Sequence, residues 1–291
     1  MSEGVGEGVI EGVGEGVSEA APAPWFAQTH RGEGDPLVLL HGFGGDHTGW
    51  FTIIPRLPNV PTLAYDLPGH GRSLHAPGAG RAGAMAKGLI ADLDARGVER
   101  FHLAGHSMGG AVATLAATRA PDRVASLTLL APGGFGSQIS YDVLRAWAAA
   151  SSRASIARAL RRMTAPGHET GAFEVGRVEA MRRRPGQMAL LDTIVRGLVD
   201  AQGRQGAIGR DAIRALPETL GAPVTLLWGE ADPVVSVRHA DGLDDALDVT
   251  RLSAIGHMLM EECPRDVASA IAETMARARP GMGGHETRDG T

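Results

Sequence analysis

The chain has 291 residues, enough for one large α/β domain or two small ones, and its 43% apolar fraction supports an ordinary buried core. The formal charge of −5 comes from the first nineteen residues, where Glu3, Glu7, Glu11, Glu15 and Glu19 meet no base; the remaining 28 acids and 28 bases balance, and nothing points to nucleic acid. Cys263 is the only cysteine, no apolar run reaches the length of a membrane span, and the first residues lack the basic-then-apolar order of a signal peptide; internal disulfides are excluded and a cytoplasmic setting is expected.

Residues 3–18 repeat one octad, Glu-Gly-Val-Gly-Glu-Gly-Val followed by Ile or Ser, and Ala-Pro-Ala-Pro follows shortly after. Sequence with three glycines in every eight residues cannot bury enough surface to offset its chain entropy, so residues 1–24 are expected to be a disordered tail. Trp25 to His30 reads as a short strand, and Pro36 to Leu40 as an apolar strand buried on both faces of a parallel sheet. It runs into the glycine-rich loop His41-Gly42-Phe43-Gly44-Gly45. Thr48 to Leu57 is helical in pattern but broken by prolines, Thr62 to Asp66 is a strand, and Leu67 to Ser73 is a tight loop. A helix over Ala82 to Ala95 leads to a strand at 101–106 and then Gly105-His106-Ser107-Met108-Gly109-Gly110. The helix after it stops near Ala120-Pro121, and Ala125 to Leu130 forms another strand.

The alternation of strand and helix implies an α/β fold with a mostly parallel sheet and flanking helices. Residues 134–215 then turn nearly all helical, which predicts an inserted cap over the sheet's carboxyl edge. The α/β rhythm resumes with a strand at Pro223 to Trp228, a helix within Val235 to Leu247, a last strand at Val249 to Leu252 and a closing helix at Arg265 to Ala278. The core is thus expected at 25–133 and 216–278, with a frayed tail at 279–291.

The Gly-x-Ser-x-Gly motif sits where a strand turns abruptly into a helix, the context a nucleophile elbow requires. A serine in that turn forces the residues two positions away into close contact, so Gly105 and Gly109 must lack Cβ. The helix behind it offers a partial positive charge to a developing oxyanion. Asp232 lies just past the strand at Pro223 to Trp228 in Trp228-Gly229-Glu230-Ala231-Asp232, and His257 follows the last strand in Ala254-Ile255-Gly256-His257. Active groups of open α/β sheets gather at the carboxyl ends of strands, so Ser107, Asp232 and His257 fall on one rim, in the chain order Ser, Asp, His. Glu230 is the alternative acid. No His/Cys spacing suggests a metal site, and no cofactor is indicated.

With these motifs and Asp66-Leu67-Pro68-Gly69-His70-Gly71-Arg72-Ser73, the chain resembles the α/β-hydrolases across about residues 25–278. His41 to Asp46 and Leu130 to Gly136 are most similar to the hydrolase-like domain of acetoin dehydrogenase acetyltransferase components. The resemblance implies a carboxylesterase-like serine hydrolase acting on a small acyl substrate. Ser107 would be its nucleophile, His257 the general base, and Asp232 the residue that orients the imidazole. The backbone N–H groups of Phe43 and Met108 would form the oxyanion hole. Of the other polar residues in these motifs, His41 and His70 are expected to brace their loops rather than act as bases, and Asp66 to cap a loop rather than take part in catalysis, while Trp50 and Trp147 are either pocket lining or core. Acetoin-system acetyltransferases carry a lipoyl domain ahead of this region, where this sequence has only the glycine-rich stretch, so lipoyl-arm transfer is not expected of it. The region before Pro36 is also short for the family by one or two opening strands.

Three functions compete: ester hydrolysis through an acyl-enzyme; acyl transfer or carbon–carbon cleavage on the same fold; and a catalytically weak ligand receptor. Carbon–carbon hydrolases of this fold often carry asparagine where this chain has His106, which weighs against them. Residues 134–215 hold thirteen arginines against seven acids, among them Arg161, Arg162, Arg182, Arg183 and Arg184. Either some face the cleft and attract anionic substrates, or they are solvated helix faces in an arginine-biased composition.

Overall fold

The computed structural model describes residues 25–200 and 208–278. The stretches expected to be unstructured, 1–24 and 279–291, lie outside the described residues. Seven strands form one sheet: β1 (Ala27–His30), β2 (Leu37–Leu40), β3 (Thr62–Tyr65), β4 (Phe101–His106), β5 (Val124–Leu130), β6 (Val224–Gly229) and β7 (Asp248–Leu252). Their spatial order is β1-β3-β2-β4-β5-β6-β7, antiparallel only between β1 and β3.

Every residue of β2, β3, β4, β5 and β6 is buried, as continuous apolar runs demand of strands covered on both faces. Helix α1 (Ala82–Ala95) packs on α2 (Met108–Arg119), and α2 lies along β2, β4 and β5. Between β5 and β6 the described residues form helices α3 (Tyr141–Ala149), α4 (Arg153–Arg161), α5 (Ala172–Arg182), α6 (Gln187–Asp200), α7 (Arg210–Arg214) and α8 (Leu216–Leu220). The chain closes with α9 (Leu259–Glu262) and α10 (Pro264–Ala276), and α10 packs on β5 and β6.

Two expected helices are absent. Thr48 to Leu57 forms only two 3₁₀ turns, His47–Trp50 and Ile54–Arg56, because Pro55 and Pro58 leave no room for a regular ladder. Val235 to Leu247 holds a single 3₁₀ turn at Val237–Ala240. Gly242, at φ 65°, turns the chain back there, and β-branched Val234, Val235 and Val237 favour extended entry.

The strand order reverses direction between β2 and β4: β3 lies outside β2, and the chain then crosses to the other side. The crevice at such a switch point is where open α/β sheets bind ligands. The loop after β2 carries Phe43, and the turn after β4 carries Ser107.

Candidate active site

Ser107 sits between β4 and α2 at φ 52° and ψ −117°. A Cβ on Gly105 would lie 2.4 Å from the Gly109 carbonyl oxygen, and one on Gly109 would lie 2.3 Å from that of Leu40. Both positions therefore require glycine. The Ser107 carbonyl accepts from the N–H groups of Ala111 and Gly133, and its own N–H donates to Leu130 at 2.9 Å. These bonds fix a turn that leaves the hydroxyl in the crevice.

His257 Nε2 lies 3.0 Å from Ser107 Oγ, and its Nδ1 lies 2.8 Å from Asp232 Oδ2. The other Asp232 oxygen accepts from the N–H groups of Val234 and Val235, at 2.8 and 2.9 Å. Burial pushes this carboxyl upward, but the adjoining imidazole and those two amides outweigh it and hold the acid below its ordinary range. Glu230 is on the surface, accepting from Ser253 Oγ at 2.6 Å. The three residues singled out by chain order thus meet in one hydrogen-bonded line, though 125 residues separate Ser107 from Asp232.

His106 adds a contact that sequence reasoning missed. Its Nε2–H donates to the His257 carbonyl at 2.8 Å, and the two rings stand 4.8 Å apart. Burial, with His257 close by, pushes its pKa down to about 3, so it stays neutral and holds the His257 backbone. His41 donates from Nδ1 to the Gly42 carbonyl and accepts at Nε2 from Leu67 N–H. His70 accepts from Gly44 N–H at 3.0 Å. Asp46, His47 and Asp66 bring possible ligand atoms within 4.8 Å of one another. Asp66 accepts from the backbone N–H and Nδ1 of His47 and from the Arg72 amide, while Asp46 caps Thr48. That cluster ties the loops after β2 and β3 together.

The amides of Phe43 and Met108 make no hydrogen bond among the described residues, and both residues line a chamber that Ser107 opens into. Trp147 of α3 donates its Nε1–H to the Phe43 carbonyl at 2.8 Å. Arg182 of α5 lies over the Trp147 ring, 4.7 Å from its centroid, with Nε and Nη1 unpartnered among the described residues. Burial pushes its pKa down to about 9, against the pull of Asp46. Trp50 is wholly buried in the core.

Two chambers meet at Ser107, Phe43 and Leu144. The larger, about 170 Å³, is lined mainly by apolar groups, among them Ala111, Leu115, Ile139, Ile208 and Val235. The smaller, about 30 Å³, lies on the His257 side and is walled by Arg177 and Glu261. Of the arginines of the helical segment, Arg161, Arg162, Arg183 and Arg184 are exposed, Arg182 is buried over Trp147, and Arg177 walls the smaller chamber but is paired with Glu261, so among the described residues no unpaired arginine lines either chamber. The helical segment also touches the histidine loop. His257 N–H donates to the Met163 carbonyl at 2.8 Å, and a Cβ on Gly256 would lie 2.5 Å from the Ala165 nitrogen.

A mostly parallel sheet with a strand–serine–helix turn at its crevice is the architecture of the α/β-hydrolase class. The alpha/beta hydrolase fold family matches residues 35–264, and the chain belongs to it. It is 33% identical over 245 residues to the dihydrolipoyllysine-residue acetyltransferase component of the acetoin cleaving system of Pseudomonas putida, and 30% over 237 residues to that of Cupriavidus necator. The matches cover 84% and 81% of this chain but only 64% and 62% of those proteins, so the chain spans less than two thirds of their length. Its fold is also that of a meta-cleavage product hydrolase from Pseudomonas fluorescens IP01, with a TM-score of 0.71 at 20% identity, covering 86% of this chain and 94% of that one.

Proposed function

We propose that the protein is a serine hydrolase that cleaves an ester or related acyl bond through an acyl-enzyme. The observation that carries this is the line Asp232–His257–Ser107, with contacts of 2.8 and 3.0 Å. His257 Nε2 takes the proton as Ser107 Oγ attacks the acyl carbon, and Asp232 stabilises the resulting imidazolium. The N–H groups of Phe43 and Met108 hold the oxyanion. Collapse of the adduct expels the leaving group with the proton carried by His257, and water then attacks the acyl-Ser107 ester by the same route.

This chemistry orients the substrate. His257 must reach the departing atom, so the leaving group occupies the 30 Å³ chamber that His257 lines. The acyl group occupies the other, whose volume of about 170 Å³ compares with apolar cavities that take a benzene-sized guest. Acyl groups of about six carbons fit it; an acetyl group leaves most of it empty. In this reading residues 25–133 and 216–278 are the catalytic core and 134–215 the cap, which supplies Leu144, Ile139 and Ile208 to the acyl chamber.

The test is Ser107→Ala, assayed on hexanoate esters and with a fluorophosphonate probe. Loss of labelling and a fall in kcat on the order of 10⁶ are expected. Turnover near that of the parent protein would remove Ser107 from the mechanism, and a parent protein that neither labels nor turns over would favour a receptor.

A further inference from the structure

On the leaving-group side the chamber wall contains a feature the proposed mechanism does not use. Glu261 of α9 is paired through Oε1 with Arg177 of α5; their side chains are 5% and 10% exposed. Its other oxygen, Oε2, is buried and has no partner among the described residues. Glu261 and Met258 also line a recess of about 10 Å³, adjoining the chamber, to which Thr164, Thr170 and Glu174 contribute. Thr164 Oγ1, Thr170 Oγ1 and Glu174 Oε2 are likewise buried and unpartnered. Thr164 is 6% exposed as a whole residue.

Four orphaned oxygens around one recess are costly, because each buried polar group without a partner forfeits the hydrogen bonds it made to water. Their chemistry specifies what satisfies them. Carboxylate oxygens accept, whereas threonine hydroxyls both donate and accept, so a matching group must donate and accept as well. A hydroxyl does both, and an ammonium only donates. About 10 Å³ corresponds to roughly one water-sized sphere, so the recess admits a single oxygen and no ring.

We propose that the recess receives a hydroxyl of the leaving group, making the preferred substrates esters of short alcohols that carry a second hydroxyl. The inference rests on the ester-hydrolase reading, with the leaving group on the His257 side. Burial pushes the Glu261 carboxyl up to about 7, helped by Glu174 and opposed by Arg177; protonated, its carboxyl donates as well as accepts, and a hydroxyl matches it in either state.

The experiment compares propyl hexanoate with 2-hydroxyethyl hexanoate, which differ by a methyl against a hydroxyl at the leaving-group end. The parent protein is expected to favour the hydroxyethyl ester in kcat/KM by about tenfold beyond the difference in their base-catalysed hydrolysis, the worth of one hydrogen bond to a charged or buried group. In Thr164→Val and in Glu261→Gln that ratio should fall toward unity. Equal kcat/KM for the two esters in the parent protein overturns the proposal, as does a preference that survives both substitutions. A 2-(dimethylamino)ethyl ester that outpaces the hydroxyethyl ester overturns the assignment to a neutral hydroxyl. If neither hexanoate is hydrolysed, the ester-hydrolase reading fails and this inference with it. Hydrolysis of both at equal rates sinks the inference alone.

Discussion

At Ser107 the backbone is held at φ 52° and ψ −117°, a combination an L residue adopts only when its surroundings impose it. Glycine reaches positive φ without that cost, whereas alanine bears it as serine does. Ser107→Gly is therefore expected to be more stable than Ser107→Ala by about 1–2 kcal/mol, with both inactive. Chemical denaturation of the two variants measures the difference, and equal midpoints would show that the turn is not strained. A gap of that size would mean that the elbow gives up stability to hold the hydroxyl in the crevice.

Two elements hold the groups that meet at this serine. Helix α3 reaches the loop after β2 through one bond, Trp147 Nε1–H to the Phe43 carbonyl. Trp147→Phe keeps a ring beneath Arg182 but removes the donor. The loop that presents the Phe43 amide should loosen, lowering kcat by about tenfold with KM little changed; deleting an oxyanion donor itself costs about 10²–10³. A change confined to KM would place Trp147 in substrate binding instead. Helix α2 lines the acyl chamber with Ala111 and Leu115. Ala111→Leu should shorten the preferred acyl chain by about two carbons in a graded ester series, because the chamber holds only about six. An unaltered chain-length profile would move the acyl group elsewhere. The rim of Ser107, Asp232 and His257 was legible in the sequence because each follows a strand and sits in a short motif. Arg177 and Glu261 were not. They lie on α5 and α9, 84 residues apart, and neither carries a local pattern that announces its partner. Trp147 was left between pocket and core for the same reason, since its role depends on a carbonyl 104 residues away. The helix expected at Val235 to Leu247 failed on chemistry visible in the sequence, its β-branched entry and Gly242, that composition alone outweighed.

Across the whole molecule, buried histidines set the acid limit. Burial pushes the pKa of His70 and His106 down to about 3 and that of His102 to about 4, so the folded chain keeps them neutral. The unfolded chain protonates all three near 6.5. It therefore binds more protons than the folded state below that pH, and the stability these histidines contribute is full above 6.5 and lost toward 4 and below. Glu261 acts oppositely: its folded pKa of about 7 exceeds the unfolded value, so its contribution is lost as pH rises toward 7. Three sites outweigh one, and Tm should climb from pH 4 to pH 6.5 and level off or dip slightly above it. A Tm that is flat or falling over the lower range would show that these histidines are hydrated in the folded state.

The contact between the helical segment and the histidine loop has a consequence for engineering and for descent. Met163 accepts from His257 N–H, and Gly256 packs against the backbone at Thr164 and Ala165. Glu262 receives the amides of Ala165, Gly256 and Met258 on one side chain. The turn at 163–165 and the loop at 256–262 are consequently one inheritable module. A graft that swaps the helices alone would leave the imidazole without its backbone anchor, and a chimaera should recover turnover only when both pieces come from the same parent.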